Sequence, residues 1–354
     1  MGALLSRVTA PGTLAQVRHV TPVRPGAARG LVAGVYAQVE RDFGMLAPPV
    51  IMHSPAPETM AACWLLLRES LLASGTVSRV LKEVVATEVS AANTCPYCVD
   101  VHRATLRGIS RREDPGIRRV ASWARASALR QTAERHEPPL LVGHSQELLA
   151  VAVTFHYLNR MVNVFLGDSP LPPELPRGAR GAALRLFGLV MRPAARRSRR
   201  KGDSLTLLPA APVPADLAWT RGARHVEGAF ARAVAAVEAG GARRLPEPVR
   251  DLITTRVAAW EGHPPGLGRG WADEAVTGLP EAQRPAARLA LLTALASYQV
   301  DAGVVAGFRR GDPDPEALIE VTAWAALAAA RRVAAWQPLR RDPINTAPNE
   351  RTVP

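Results

Sequence analysis

Two of the chain's three cysteines, Cys95 and Cys98, stand three residues apart in the run TCPYCVDVH (94–102), and His102 follows four residues after the second. Two thiols and an imidazole at this spacing can hold a metal, lock a small fold, or move electrons and protons. Pro96 suits the first turn of a helix, where its missing N–H leaves nothing unsatisfied. Cys98 then falls in that first turn, where unpaired amides and the macrodipole favour a thiolate. A lowered thiol pKa is what a nucleophilic cysteine needs at neutral pH. His102 lies one turn further along the same face, in reach of the thiol proton directly or through a water. Cys95 precedes the helix, close enough to pair with Cys98 as in other C-x-x-C dithiols. Glu83 sits on the preceding helix, which must turn back at Asn93–Thr94, and is there placed to orient His102, the third-party role that a histidine base needs.

The remaining chemistry-bearing residues read more blandly. Zinc wants four ligands, whereas Cys95, Cys98 and His102 give three and no second C-x-x-C exists, so neither a metal nor a cofactor is expected. Two inert buried thiols are the plain alternative to a dithiol. Cys63, in AACWLLL, reads as a core cysteine. His156, in TFHYLNR, reads as a core or lining residue, and His144 as one near a helix start.

The elements that must position this cluster are helical. Apolar periodicity predicts helices over about 58–73, over VSRVLKEVVATEVSAAN with apolar residues at 80, 81, 84, 85 and 89, from CPYC to Gly108, over 115–131, and over Ser145–Gly167. DSPLPPELPRGARG, from Asp168, is too dense in proline and glycine for helix interior. Helical patterns resume at 216–239, 246–260, 281–298 and 316–336, the last alanine-rich with a basic end. Strand alternation is absent. The expectation is an all-α chain: an N-terminal extension (1–44), a helical domain with the dithiol (45–167), a Pro/Gly/Arg-rich connector (168–215), a second helical domain without cysteines (216–340) and a tail (341–354). Ala287–Gly311 repeats the rhythm of Lys82–Gly108, an apolar helix, a polar break and an amphipathic helix into glycine. Alanine-rich helices look alike by default, so a degenerate duplication stays open.

The run Glu83–Gly108 resembles the AhpD-like alkylhydroperoxidase and carboxymuconolactone decarboxylase superfamily. Its redox members are similar in carrying a glutamate, a C-x-x-C whose first cysteine comes twelve residues later, and a histidine four residues past the second cysteine; Glu83, Cys95, Cys98 and His102 match at every step. The resemblance implies an AhpD-like helical bundle and a peroxidase cycle: Cys98 the peroxidatic thiol, Cys95 the resolving one in a reversible disulfide, Glu83 and His102 the proton relay. A hydroperoxide would be the substrate and an external dithiol the reductant, in a protein that forms homo-oligomers. Tyr97 stands where the best-known peroxidase of the family has a histidine. FHYLNRMVNVFLG resembles the family's later helix, which brings in His156 and Asn159 as lining residues. The decarboxylase branch acts on a lactone carboxylate without a redox dithiol; Arg160 or Arg103 could serve such an acidic substrate. A redox-sensing helical scaffold is the non-enzymatic alternative.

Composition bounds these readings. Hydrophobic residues make up 47% and charged residues 21%, a globular balance. Three cysteines are too few for a disulfide scaffold, which makes a reducing cytoplasm the expected compartment. No stretch reads as a signal peptide, and Leu289–Val300 is too short to span a bilayer. The net charge of +13 comes from 42 arginines against 2 lysines. The densest basic run, Arg192–Lys201, has no interleaved aromatic residue to stack on bases, so it reads as a solvated linker and not as a nucleic-acid site.

Overall fold

The computed structural model describes residues 12–110, 115–136, 142–172 and 174–337, and among them there is no strand. The all-α expectation holds; the expected tail, 341–354, lies outside the described residues. Among the described residues, eleven helices of more than ten residues carry the architecture: α1 (Gly30–Phe43), α2 (Pro57–Leu67), α3 (Arg79–Ala92), α4 (Pro96–Ile109), α5 (Pro115–Ala126), α6 (Val142–Phe165), α7 (Arg177–Arg196), α8 (Arg224–Arg244), α9 (Glu247–Ala259), α10 (Arg284–Ala296) and α11 (Pro315–Ala334).

Local chemistry sets the ends of the pair that matters most. Ser78 caps α3 by accepting from the Leu81 amide at 3.4 Å. Asn93 ends the helix, Thr94 takes a left-handed φ of 53°, and Pro96 opens α4 in its first turn. The chain therefore reverses in two residues and lays α4 back against α3.

At the centre runs α6, which packs on α3 from the first half of the chain and on α11 from the second. Its stretch Ser145–Phe165 is long and apolar enough to cross a membrane, but 94% of its most apolar window is buried inside the fold. It is a core helix. Buried side chains of both halves form one continuous core, from Val35 and Trp64 to Leu292 and Leu327. Polar ties cross it as well: Arg160 Nε donates to the Ala294 carbonyl at 2.8 Å, and Asn163 Nδ2 to Ser297 Oγ at 3.0 Å.

The stretch from Asp168 differs from expectation. Helix does form there, as the 20-residue α7 beginning at Arg177 and lying across α4. The prolines of this stretch end at Pro176, the N-cap of α7, and the glycine further along the helix serves packing. A Cβ on Gly188 would lie 2.3 Å from the Ala104 carbonyl oxygen, and one on Gly108 would lie 2.3 Å from that of Gly188. Glycine here permits backbone approach and does not break the helix. The following residues are pinned by a buried ion cluster: Arg68 Nε donates to Asp42 at 2.7 Å, Arg199 Nη2 to the Asp42 carbonyl at 2.6 Å, and Ser204 Oγ to Glu69 at 2.7 Å.

Candidate active site

The α3–α4 reversal brings Glu83 under His102. Their side chains meet at 2.7 Å between Glu83 Oε2 and His102 Nδ1, while Arg79, one turn before Glu83 on α3, donates its Nε to Oε1 at 2.8 Å. Burial alone would push the Glu83 carboxyl up, but Arg79 and His102 outweigh it and hold the carboxyl below its usual range. An ionised carboxylate can only accept, so Nδ1 carries the proton and Nε2 is the basic nitrogen. The ring packs edge-on against Phe155, centroids 4.6 Å apart, which fixes its plane.

Cys95 and Cys98 are both free thiols, 1% and 4% exposed, and Cys63 is a third, fully buried. Burial pushes the Cys98 thiol well above its usual pKa, neighbouring Cys95 adds to this, and hydrogen bonds with Asn159 and Ser90 oppose it. Beneath the thiols runs a polar network. Asn159 Nδ2 donates to Ser90 Oγ at 3.0 Å, Asn93 Nδ2 to Asn159 Oδ1 at 3.0 Å, and His156 lies with Nδ1 3.0 Å from the Asn93 amide. Burial, and secondarily Arg160, keep His156 well below its usual pKa, so it stays a neutral structural imidazole.

Cys98 and His102 open onto a cavity of about 1190 Å³ whose other walls include Gln16, Tyr97, Arg18 and Arg180. The Tyr97 hydroxyl donates to Gln16 Oε1 at 2.8 Å, so the segment before α1 closes one side. Arg180, on α7, brings a buried Nε with no hydrogen-bond partner to the same wall. Of the four residues singled out, Glu83 meets His102, Cys98 and His102 share the cavity wall, and Cys95 and Glu83 do not line it. His156 and Asn159 support the floor and do not line the cavity. Arg160 is spent on the Ala294 and His156 carbonyls and on the Trp260 ring, and Arg103 is exposed on α4 outside the cavity wall, so neither forms the basic pocket suggested for them. The side chain of His144 lies outside the described residues. Sequence reasoning missed Arg79, whose spacing four residues before Glu83 was a usable signal. It also missed Gln16 and Arg180, which arrive from distant segments and leave no local trace.

This duplex of helices around a Glu–His pair and a C-x-x-C belongs to a recognisable class. The chain is a member of the AhpD-like, carboxymuconolactone decarboxylase family, and is an alkylhydroperoxidase-like enzyme. The model of the "Carboxymuconolactone decarboxylase family" matches residues 57–134, which span α2 to α5 and all four sequence-predicted site residues. Over its length the chain is similar to alkyl hydroperoxide reductase Rv2159c of Mycobacterium tuberculosis, with 36% identity over 338 residues, covering 90% of this chain and 94% of the relative.

One expectation is overturned. A thiol peroxidase or disulfide oxidoreductase working through Cys95 and Cys98, with a hydroperoxide as substrate, needs an activated thiolate and a pair able to link. The two thiols are instead unlinked and buried, and the Cys98 pKa is raised where the helix terminus was expected to lower it. Desolvation wins over the dipole. Among the described residues no group of three or more His, Cys, Asp and Glu could hold a metal ion.

Proposed function

We propose that this enzyme works as a carboxymuconolactone-decarboxylase-like catalyst of proton transfer, on a small anionic lactone or related carbon acid held in the cavity beside His102. The observation that carries the reading is the 2.7 Å Glu83–His102 contact, with Nδ1 committed to the carboxylate and Nε2 left as the working nitrogen. In a decarboxylation the C–C bond to the carboxylate breaks, CO₂ leaves, and the electron pair passes into the lactone enolate. His102, protonated at Nε2 from solvent, returns a proton to carbon, and Glu83 stabilises the imidazolium meanwhile. Arg180, with its unpartnered Nε, fits the substrate's negative charge. Cys98, kept protonated, offers the cavity an S–H donor, and Cys95 fills space behind it.

The second half fits the same proposal as a degenerate copy. After α10 the chain breaks at Ser297–Val300, and Asp301 then caps the short helix Ala302–Arg309, which repeats the α3–α4 pattern without its cysteines and supports a boundary within 168–215. The test is turnover of carboxylated lactones, followed by loss of ultraviolet absorbance and release of CO₂. Glu83→Gln and His102→Asn are expected to lower kcat by roughly 100- to 10,000-fold, and Cys95→Ser to leave it intact. Catalytic consumption of a hydroperoxide with a dithiol reductant, abolished in Cys95→Ser, would overturn the proposal.

A further inference from the structure

The helix α7 has two faces with opposite fates. Its inner face, through Gly188, Met191 and Ala195, is buried against the rest of the fold. Its outer face carries Leu186, Leu189 and Val190 at 62%, 55% and 48% exposure, an unusual concentration of large apolar side chains in water. Ala182 and Pro193 extend this line at helical spacing and are exposed as well. Arginines flank the stripe. From Arg177 to Lys201 the sequence holds nine basic residues and no acidic one. Among the described residues, Arg185, Arg192, Arg196 and Arg197 pair with no carboxylate, as does Arg107 on the adjoining end of α4. Arg107, Arg192 and Arg196 also line a groove of about 400 Å³ whose apolar wall is Ile109 and Leu189.

We propose that this outer face of α7 docks on a bilayer surface bearing anionic headgroups. An apolar ridge flanked by arginines that pair with no carboxylate among the described residues matches the two layers of such a surface, acyl boundary for the leucines and headgroup anions for the guanidiniums. Charge selects among occupants. A symmetric contact with a second copy would bring each arginine row against itself. Nucleic acid would match the charge and leave the leucines unused, with no aromatic residue on this face to stack on bases.

The test is co-sedimentation of the full chain with vesicles of phosphatidylcholine alone and with about one-third phosphatidylglycerol, at low and high salt. Binding is expected to the anionic vesicles only and to weaken with salt. Arg185→Gln, Arg192→Gln and Arg196→Gln combined should lower affinity about 100-fold, whereas the charge-matched set Arg221→Gln, Arg224→Gln and Arg256→Gln should lower it far less. Leu186→Ser with Leu189→Ser should reduce it by at least roughly tenfold. Equal losses from the two arginine sets, or no loss from the leucine pair, would mean general adsorption of a basic protein and overturn the proposal. A solution mass above one chain that falls to one in the leucine pair, without vesicle binding, would assign the face to a second copy and overturn it too.

Discussion

Glu83→Gln is the most informative single change in the site, because the carboxylate serves two donors with one oxygen each. Arg79 holds Oε1 at 2.8 Å and His102 holds Oε2 at 2.7 Å. An amide keeps one acceptor and turns the other position into a donor. Guanidinium has only donors to offer, so the amide oxygen must face Arg79 and the NH₂ must face His102. The imidazole can then satisfy the contact only by presenting a bare Nδ1, which moves its proton to Nε2 and removes the basic nitrogen from the cavity. Losing a charge-assisted hydrogen bond is worth about 1.5–3 kcal/mol, a factor of roughly 10 to 150 in rate before the tautomer change is counted. The assay is a nitrogen-15 histidine spectrum, with the His102 signals assigned by their loss in His102→Asn. Wild type should show the Nδ1–H form at His102 and Glu83→Gln the Nε2–H form, with the lactone turnover rate falling in parallel. An unchanged tautomer, or a changed tautomer with an unchanged rate, refutes the assignment of Nε2 as the working nitrogen.

Thiol labelling should be slow: with all three cysteines buried and Cys98 and Cys63 pushed up by burial, a thiol reagent near pH 7 should modify none of them until the protein unfolds, and rapid stoichiometric labelling of Cys98 would contradict this. Gly188→Ala drives a methyl into the Ala104 carbonyl and should destabilise by about 1–3 kcal/mol, read as a lower melting temperature, whereas Gly181→Ala on the exposed side of the same helix should not. Burial would raise the Asp42 carboxyl, but Arg41 and Arg68 hold it below its usual value, so its stabilisation is complete above the unfolded carboxylate pKa of about 4 and is lost as pH falls through the lower folded value. Asp42→Asn should flatten that acid limb in urea titrations run from pH 6 downward, and an unchanged slope would count against the role of this ion cluster.

What the sequence made legible was local. Ser78, Asn93–Thr94 and Pro96 fix the ends of α3 and α4, and the spacings 83, 95, 98 and 102 then determine which side chains meet. Cues of this kind act within a turn or two, which is why the Glu83–His102 pair was foreseeable from spacing alone. The cavity was not, because Gln16, Arg18 and Arg180 come from segments some 80 residues to either side of Cys98 and only tertiary packing unites them. Proline and glycine near 168–181 hid α7, since the prolines stop at Pro176, its N-cap, and the exposed Gly178 and Gly181 of its first turns look in a string of letters like glycines that end a helix. Arg160 illustrates the converse. Its type suggested a substrate anchor, but its direction is set by α6, which turns it away from the cavity and into the junction with α10.

The state of the thiols follows from comparing two magnitudes. A helix terminus favours a nearby negative charge by about 0.3–1 kcal/mol, and by about 2 at best in a partly buried setting. At 1.36 kcal/mol per unit, that is roughly one pKa unit. Full burial moves an acidic group the other way by up to about 3–5 units. Cys98 is 4% exposed and has a second thiol beside it where a stabilising cation would be needed. The His102 ring is committed through Nδ1 to the Glu83 carboxylate, and that carboxylate is matched by Arg79. Hydrogen bonds from Asn159 and Ser90 pull the Cys98 pKa down, and they do not reverse the balance. The negative charge of this site therefore resides on the Glu83 carboxylate, one helix behind the cavity wall, and not on the Cys98 thiol.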